Sequence, residues 1–455
     1  MNRSKKLAVL LGILLAVSAA AFGAARWEER KEQIQNSGAV ILEVPAESVQ
    51  RLSWEYQSNI LSFHRDGTWR YDGDGAFPVD REKVDGLLGQ FQSFSAAFVI
   101  ENVEDYGQYG LDAPVCTIRL EADGGAYEVK LGDYSKMDAQ RYVDIGDGNV
   151  YLVKDDPLDY FDAGLSDMIL HDEVPDFGQV NRIEFSGAAD YGISYEKDGG
   201  GSYRDSDVYY ASHGGNQVPL DTTRVTSYLN ELGHLSLTNY VTYSATEEEL
   251  QGYGLDRPEL TVSVEYQDAG ETARTFVLNL SRDPAERDGG EGGTATAYAR
   301  VGDSPIVYQI SSASCAALMA ASYDDLRHRE VLPADFADIA QLDIALEGQT
   351  YTLTSEKRGG ARAFSYLGEE LEIARLQNAL VALSADSFTD EAPGQKQEVS
   401  LTVHLDQRGE PTVQIDLYRY DGAHCLAVVD GEPASLVDRS AVVDLIEAVH
   451  AIVLN

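Results

Sequence analysis

An internal repeat constrains this chain more than any other feature. Val79 and Asp80 precede Val84, Leu87, Leu88 and Phe91. Leu220 and Asp221 precede Val225, Tyr228, Leu229 and Leu232, and Leu371 and Glu372 precede Leu376, Ala379, Leu380 and Leu383. Each copy places an apolar residue and an acid ahead of apolar positions at i, i+3, i+4 and i+7, which is one apolar stripe on a helix. The acid suits the first turn, where it accepts from free backbone N–H groups and opposes the positive end of the helix dipole. Pro78 and Pro219 mark extended chain entering the first two helices.

Alternating strand sequence with Asp-Gly or Gly-Gly turns surrounds each helix. Before it come Val49 to Tyr56, Val180 to Phe185 and Ile339 to Leu346, each followed by a hairpin partner. After it come sets that begin at Val115, Leu260 and Val399 and end with a short helix signal led by Asp155, Ser312 and Asp438. The expected fold is α+β: three tandem modules, each an antiparallel sheet with one packed helix and a short terminal helix. The modules span residues 41–165, 174–325 and 335–455, with polar boundaries near 166–176 and 325–335 that contain Pro175 and Pro333. A length of 455 residues agrees with several cores rather than one.

Residues 1–32 read as a membrane anchor or signal. Arg3, Lys5 and Lys6 precede an uncharged apolar stretch from Leu7 to Ala25, and Arg26 and Trp27 follow it. At ~1.5 Å per residue such a stretch spans about 28 Å, close to a bilayer core. Its length favours an uncleaved transmembrane helix; Ala19 and Ala21 supply the alternative, an A-x-A cleavage site and secretion. Both routes put the body outside the cytoplasm, and no cysteine follows the stretch for lipoprotein processing.

Composition narrows the partners. Lys plus Arg is 35 and Asp plus Glu is 76, a net charge of −41, which argues against nucleic acid and against a body lying flat on an anionic membrane. The cysteines, Cys116, Cys315 and Cys425, are far apart with no CxxC spacing; they read as buried thiols, not a zinc or redox site.

The stretch Tyr109-Gly110-Leu111-Asp112-Ala113-Pro114 recurs as Tyr253-Gly254-Leu255-Asp256-Arg257-Pro258, each before an alternating strand. With the leader and the turn Asp66-Gly67-Thr68-Trp69, this resembles the bacterial family called domain of unknown function 4340, over roughly residues 45–325. The resemblance implies a membrane-anchored envelope protein, often encoded beside ABC transporters of the gliding type. It transfers no catalytic residue. Physically, Tyr109, Gly110, Leu111, Asp112 and Pro114, with Tyr253, Gly254, Leu255, Asp256 and Pro258, read as a structural turn. The glycines take positive φ, the leucines plug the sheet edge, the aspartates accept local backbone bonds and the prolines set strand entry. The third module has only Glu391-Ala392-Pro393 there.

Chemistry-bearing motifs are sparse. No Gly-x-Ser-x-Gly elbow and no H-E-x-x-H occurs. Ser194 and Lys197 match S-x-x-K, but in strand rather than helix sequence, and His404 with Asp406 falls short of a metal set. The turns Asp72-Gly73-Asp74-Gly75 and Asp144 with Asp147 offer calcium-type oxygens but no 12-residue loop, and the glycines from Gly289 to Gly293 lack the lysine of a phosphate loop. The pair Tyr209-Tyr210 is a candidate contact surface. No catalytic, cofactor-binding or metal residue is assigned. The expected function is a non-enzymatic extracytoplasmic scaffold with a protein partner in an envelope transporter complex. The alternatives are an envelope glycan hydrolase with paired carboxylates and a glycan-binding module.

Overall fold

The structure is a computed structural model that describes residues 17–21, 38–101, 103–197, 201–213, 215–286, 295–359, 361–409 and 411–453. The chain forms two compact units, residues 1–172 and 173–455. The first contains one large sheet of eight strands; the second contains two sheets of nine strands each.

The three sheets share one topology. In each, the strand that opens the module pairs antiparallel with the first long strand after the helix. Val49–Tyr56 pairs with Cys116–Ala122, Gln179–Gly187 with Leu260–Gln267, and Ile339–Leu346 with Gln397–Leu405. A meander of short strands extends outward on either side of this central pair, and a short strand just after the helix returns to the far edge. The likeness reaches the irregularities: the central pair carries a register shift between Val49 and Arg51, between Val180 and Arg182, and between Ile339 and Gln341. A bulge at the same place in three copies is an inherited feature of the unit. The α+β, antiparallel, internally repeated architecture expected from the sequence is therefore what the chain adopts.

Each helix lays its apolar stripe on one sheet face. Val84, Leu87, Leu88 and Phe91 are buried, as are Val225, Tyr228, Leu229 and Leu232, and Leu376, Ala379, Leu380 and Leu383. In the first unit Trp54 of the central strand meets Phe161 edge-on at 5.5 Å, and Phe161 also contacts Phe91 at 5.9 Å. In the second module Phe185 meets Tyr228 edge-on at 5.4 Å, and the Tyr228 hydroxyl donates to the Leu318 carbonyl at 3.1 Å. Buried aromatic pairs of this kind add to area burial. Cys116, Cys315 and Cys425 are all buried and unbridged, and burial pushes the thiols of Cys116 and Cys425 up to about 12.

The helix starts follow the repeat in two copies out of three. Asp80 Oδ1 accepts from the amides of Glu82 at 2.9 Å and Lys83 at 3.3 Å, ahead of the helix Arg81–Gly89. Asp221 Oδ1 does the same for Thr223 at 2.9 Å and Arg224 at 3.3 Å, ahead of Thr222–Gly233. Glu372 does not cap: the third helix, Ala374–Val381, starts at Ile373 with no side-chain cap. One further methylene and a one-residue offset take its carboxylate out of the Asx geometry that serves the first turn.

The terminal helices also depart from expectation. Asp156, not Asp155, accepts from the Leu158 amide, and Ser311, not Ser312, caps Ser312–Met319. The third is not short. Arg439–Val453 runs 15 residues behind Asp438, with Val442, Leu445, Ala448 and Val449 buried and Glu447 paired to Arg375 of the module helix at 3.0 Å. It continues because its apolar stripe packs along the neighbouring helix. Tyr209 and Tyr210 are core residues rather than a contact surface, 8% and 2% exposed. Among the described residues no helix is long and apolar enough to cross a membrane. Most of the expected span Leu7–Ala25, and the glycines from Gly289 to Gly293, lie outside the described residues.

The asymmetry of the caps is testable. Asp80→Ala is expected to cost about 1 kcal/mol in urea denaturation, whereas Glu372→Ala leaves the midpoint unchanged. Equal losses in both variants would contradict the capping assignment.

Candidate functional site

The repeated Tyr-Gly-Leu-Asp turn closes one end of each of the first two sheets. Gly110 has φ 69° and its amide donates to Gly107 O at 3.1 Å; Gly254 has φ 72° and donates to Gln251 O at 3.0 Å. Both occupy the left-handed region that favours glycine. Leu111 and Leu255 are 3% and 4% exposed and plug the sheet end. Tyr109 lies against Tyr142 at 4.9 Å and Tyr253 against Tyr298 at 4.7 Å, so each motif tyrosine meets a tyrosine of the same post-helix strand. A Cβ on Gly132 would lie 2.2 Å from the Tyr109 carbonyl, so that strand admits only glycine under the turn.

Pro114 and Pro258 stand two residues before the strands that start at Cys116 and Leu260. Asp112 and Asp256 are exposed and, among the described residues, accept no hydrogen bond, contrary to expectation. The turn amides are already held by main-chain carbonyls: Leu111 N–H by Tyr106 at 3.1 Å and Leu255 N–H by Leu250 at 2.8 Å. Each set of motif residues thus forms a structural turn within its own sheet.

The other candidates from the sequence are dispersed in the same way. Ser194 ends in a loose contact with Glu196 at 3.4 Å and sits in a strand, with Lys197 in the following turn. His404 bonds Asp343 at 2.9 Å while Asp406 holds Arg362 and Lys357. The Asp-Gly turns use their carboxylates locally. Asp74 accepts from the Ala76 amide at 2.9 Å, Asp144 from Gly146 at 2.7 Å and Asp147 from Asn149 at 3.0 Å.

One ionisable cluster stands apart, at the joint between the second and third modules. It gathers around His328 in the linker that follows the short helix Tyr323–Leu326. His328 Nε2 lies 3.0 and 3.1 Å from the Asp207 carboxylate oxygens, and Asp207 is 5% exposed. Ser202 Oγ donates to Asp207 Oδ2 at 2.5 Å. His328 Nδ1 faces Arg204 Nη1 at 3.2 Å and Glu330 Oε2 at 3.7 Å. Arg204 Nη2 donates to the Leu332 carbonyl at 3.0 Å. The link continues as Tyr203 Oη donates to Asp430 at 3.1 Å and Gln407 Nε2 donates to the Tyr203 carbonyl at 2.8 Å. A cavity of about 330 Å³ opens beside it, lined among others by Tyr203, Asp207, Tyr323, His328, Glu330 and Phe388.

Burial alone would push the His328 imidazole down, but the hydrogen bonds to Asp207 and Glu330 outweigh it and hold the group at about 9. The His328 hydrogen bond in turn holds Glu330 down at about 2. The pattern is not a catalytic triad. The serine hydroxyl donates to the carboxylate rather than to the imidazole, so no base is poised on it. Asp221, His328 and Glu330 bring ligand-type atoms within 4.8 Å of one another, yet they do not fit a metal. Asp221 Oδ1 caps a helix, Asp221 Oδ2 faces Arg224 at 3.4 Å, and the Arg204 guanidinium already places a positive charge 3.2 Å from His328 Nδ1. What the arrangement can do is fasten a linker between two sheets.

The charge states fix how that joint responds to pH. His328 is raised in the folded state, so its contribution is complete below about 6.5 and is lost as pH rises through about 9. Glu330 is depressed, so its contribution holds above about 4.5 and is lost as pH falls through about 2. Asp207→Asn is expected to destabilise residues 173–455 by about 3 kcal/mol at pH 7 and to flatten the alkaline fall. Retention of the wild-type alkaline profile, followed by thermal unfolding, would remove His328 from this role.

Comparisons with known proteins point to one family. The family model described as Domain of unknown function (DUF4340) matches residues 69–258 and again 215–402, together more than half of the chain. No curated protein and no solved structure matches. Two overlapping matches along one chain are what tandem copies of a shared unit produce, and the protein belongs to the DUF4340 family.

Proposed function

We propose that the protein is a membrane-tethered, extracytoplasmic interaction scaffold, an accessory component of an ABC-type transport system of the cell envelope. The observation that carries the scaffold reading is the module joint. Its buried ionisable groups are used to hold one another and the linker main chain, which fits a body whose task is to keep surfaces in fixed relation. Tandem units of one architecture supply extended surface for partners. The uncharged stretch Leu7–Ala25 between basic flanks supports the tether, and the net charge of −41 keeps the body off anionic lipid and nucleic acid. The transporter association rests on the family resemblance.

Affinity purification of the full chain from solubilised membranes is expected to recover a transporter subunit at near-stoichiometric yield. Recovery of the chain alone, under conditions that keep the transporter assembled, would remove the accessory role. Protease treatment of intact spheroplasts is expected to digest the body; a protected body would reverse the orientation.

A further inference from the structure

A short segment after each module helix has the same build: Phe94-Ser95-Ala96, Leu235-Ser236-Leu237 and Leu383-Ser384-Ala385. In all three the apolar residues are buried and the serine is exposed. Such a segment offers one edge of main-chain donors and acceptors.

In the first module an incoming strand takes that edge, and in the third an incoming segment bridges it. Ala39–Leu42 runs antiparallel to Phe94–Ala96 with Val40 opposite Ser95, and the Val44 amide donates to Phe91 O at 2.8 Å. In the third, Glu330 bridges Ser384, the Val331 amide donates to Leu383 O at 3.0 Å, and the Ala385 amide donates to Arg329 O at 2.7 Å. The incoming segments share a signature: Glu43-Val44-Pro45 and Glu330-Val331 with Pro333, the valines 1% and 4% exposed.

The second module differs. Among the described residues, no main-chain group bonds to Ser236, Leu237 or Thr238. A cavity of about 410 Å³ lies there instead, lined among others by Leu235, Ser236, Thr238, Gln309, Ser311 and Ser314. The corresponding signature, Glu173-Val174-Pro175, is present, but Val174 is only half-buried and, among the described residues, makes no main-chain bond. It lines a different cavity, with Leu229 and Gly233, and the chain is pinned just beyond it by Phe177 against Tyr266 at 5.2 Å.

We propose that Leu235–Thr238 is an acceptor edge for an extended, aliphatic-rich segment of a partner polypeptide, which adds as one further antiparallel strand. The occupant's chemistry follows from the strand seated on the first module's edge, Ala39–Leu42: aliphatic residues along the strand, followed by an acid and a buried valine. Main-chain bonds supply the attraction, and the hydroxyls of Ser236, Thr238, Ser311 and Ser314 accept polar outward side chains. The same place in the third module is already an interface, the one through which the linker from the second module enters. The inference deepens the scaffold reading and rests on it for the existence of a partner. It names where that partner would dock.

Hydrogen exchange on the full chain tests it, with a synthetic peptide copying residues 39–45 as the probe. Alone, the Leu237 amide is expected to exchange far faster than Ala96 and Ala385. The peptide is expected to slow it by about tenfold or more, with the helix Thr222–Gly233 unchanged. N-methylation of the peptide at both Val40 and Ile41, which removes a donor on either side of the strand without altering the protein, is expected to abolish the effect, and Leu237→Pro to abolish binding of a labelled copy of the peptide followed by fluorescence anisotropy. Two results would overturn the proposal: no protection by the peptide, or protection of Leu237 before it is added and released by Val174→Pro. The second would show that the chain's own segment holds the edge. Recovery of a transporter subunit without peptide protection refutes only the edge; protection without such recovery refutes only the transporter role.

Discussion

The antiparallel pairing at the middle of each sheet is the constraint on which everything else depends. It joins the first strand of a module to a strand that follows its helix, and so closes a long excursion of chain. Leu52 opposite Leu120, Ile183 opposite Val264 and Leu342 opposite Val403 lie on the buried face of this pair in the three modules. Closure of such a loop is entropically unfavourable. The buried face compensates because the helix inside the loop brings its own apolar stripe to the same core. Neither the hairpins before the helix nor the meander after it would form a two-sided core alone.

Repetition of a unit does not by itself give a rigid body, and the linker at 327–332 shows what does. Just before it the Asp221 amide donates to Leu326 O at 3.1 Å, and its front half bonds the second module where His328 meets Asp207. Its back half bridges the third module, Glu330 opposite Ser384. Arg327 adds a cation over the Phe388 ring at 4.1 Å. The acids of this joint are partnered, Asp207 by His328 and Ser202 and Glu330 by His328, which is the condition under which buried charge is tolerated, whereas the buried Arg204 Nε has no hydrogen-bond partner among the described residues.

Much of the fold was legible because its signals are local. The stripes at Val84, Val225 and Leu376 obey one helical period, and the central strands alternate with a period of two; both patterns need only neighbouring residues. The caps at Asp80 and Asp221 were legible for the same reason. Glu372 misled because the acid matched in charge but not in reach. The length of Arg439–Val453 was written in Val442, Leu445, Ala448 and Val449, but analogy with the shorter terminal helices of the other modules hid it. The His328 joint was not legible. Asp207 and His328 are 121 residues apart, and no periodicity links an acid in one turn to an imidazole in a distant linker. A hint lay in the run Arg327-His328-Arg329-Glu330, four consecutive ionisable residues inside the polar boundary at 325–335.

The cysteine thiols are distributed one to a module: Cys116 in the first, Cys315 in the second and Cys425 in the third, all inside the core. Burial keeps each as a protonated thiol, the form that does not attack disulfides. The three cysteines of the native chain are therefore poor nucleophiles. Each core also carries its own chemical reporter, since a thiol-reactive dye reaches a given sulfur only when the surrounding sheet opens. Labelling kinetics read at the three positions would resolve the order in which the cores come apart.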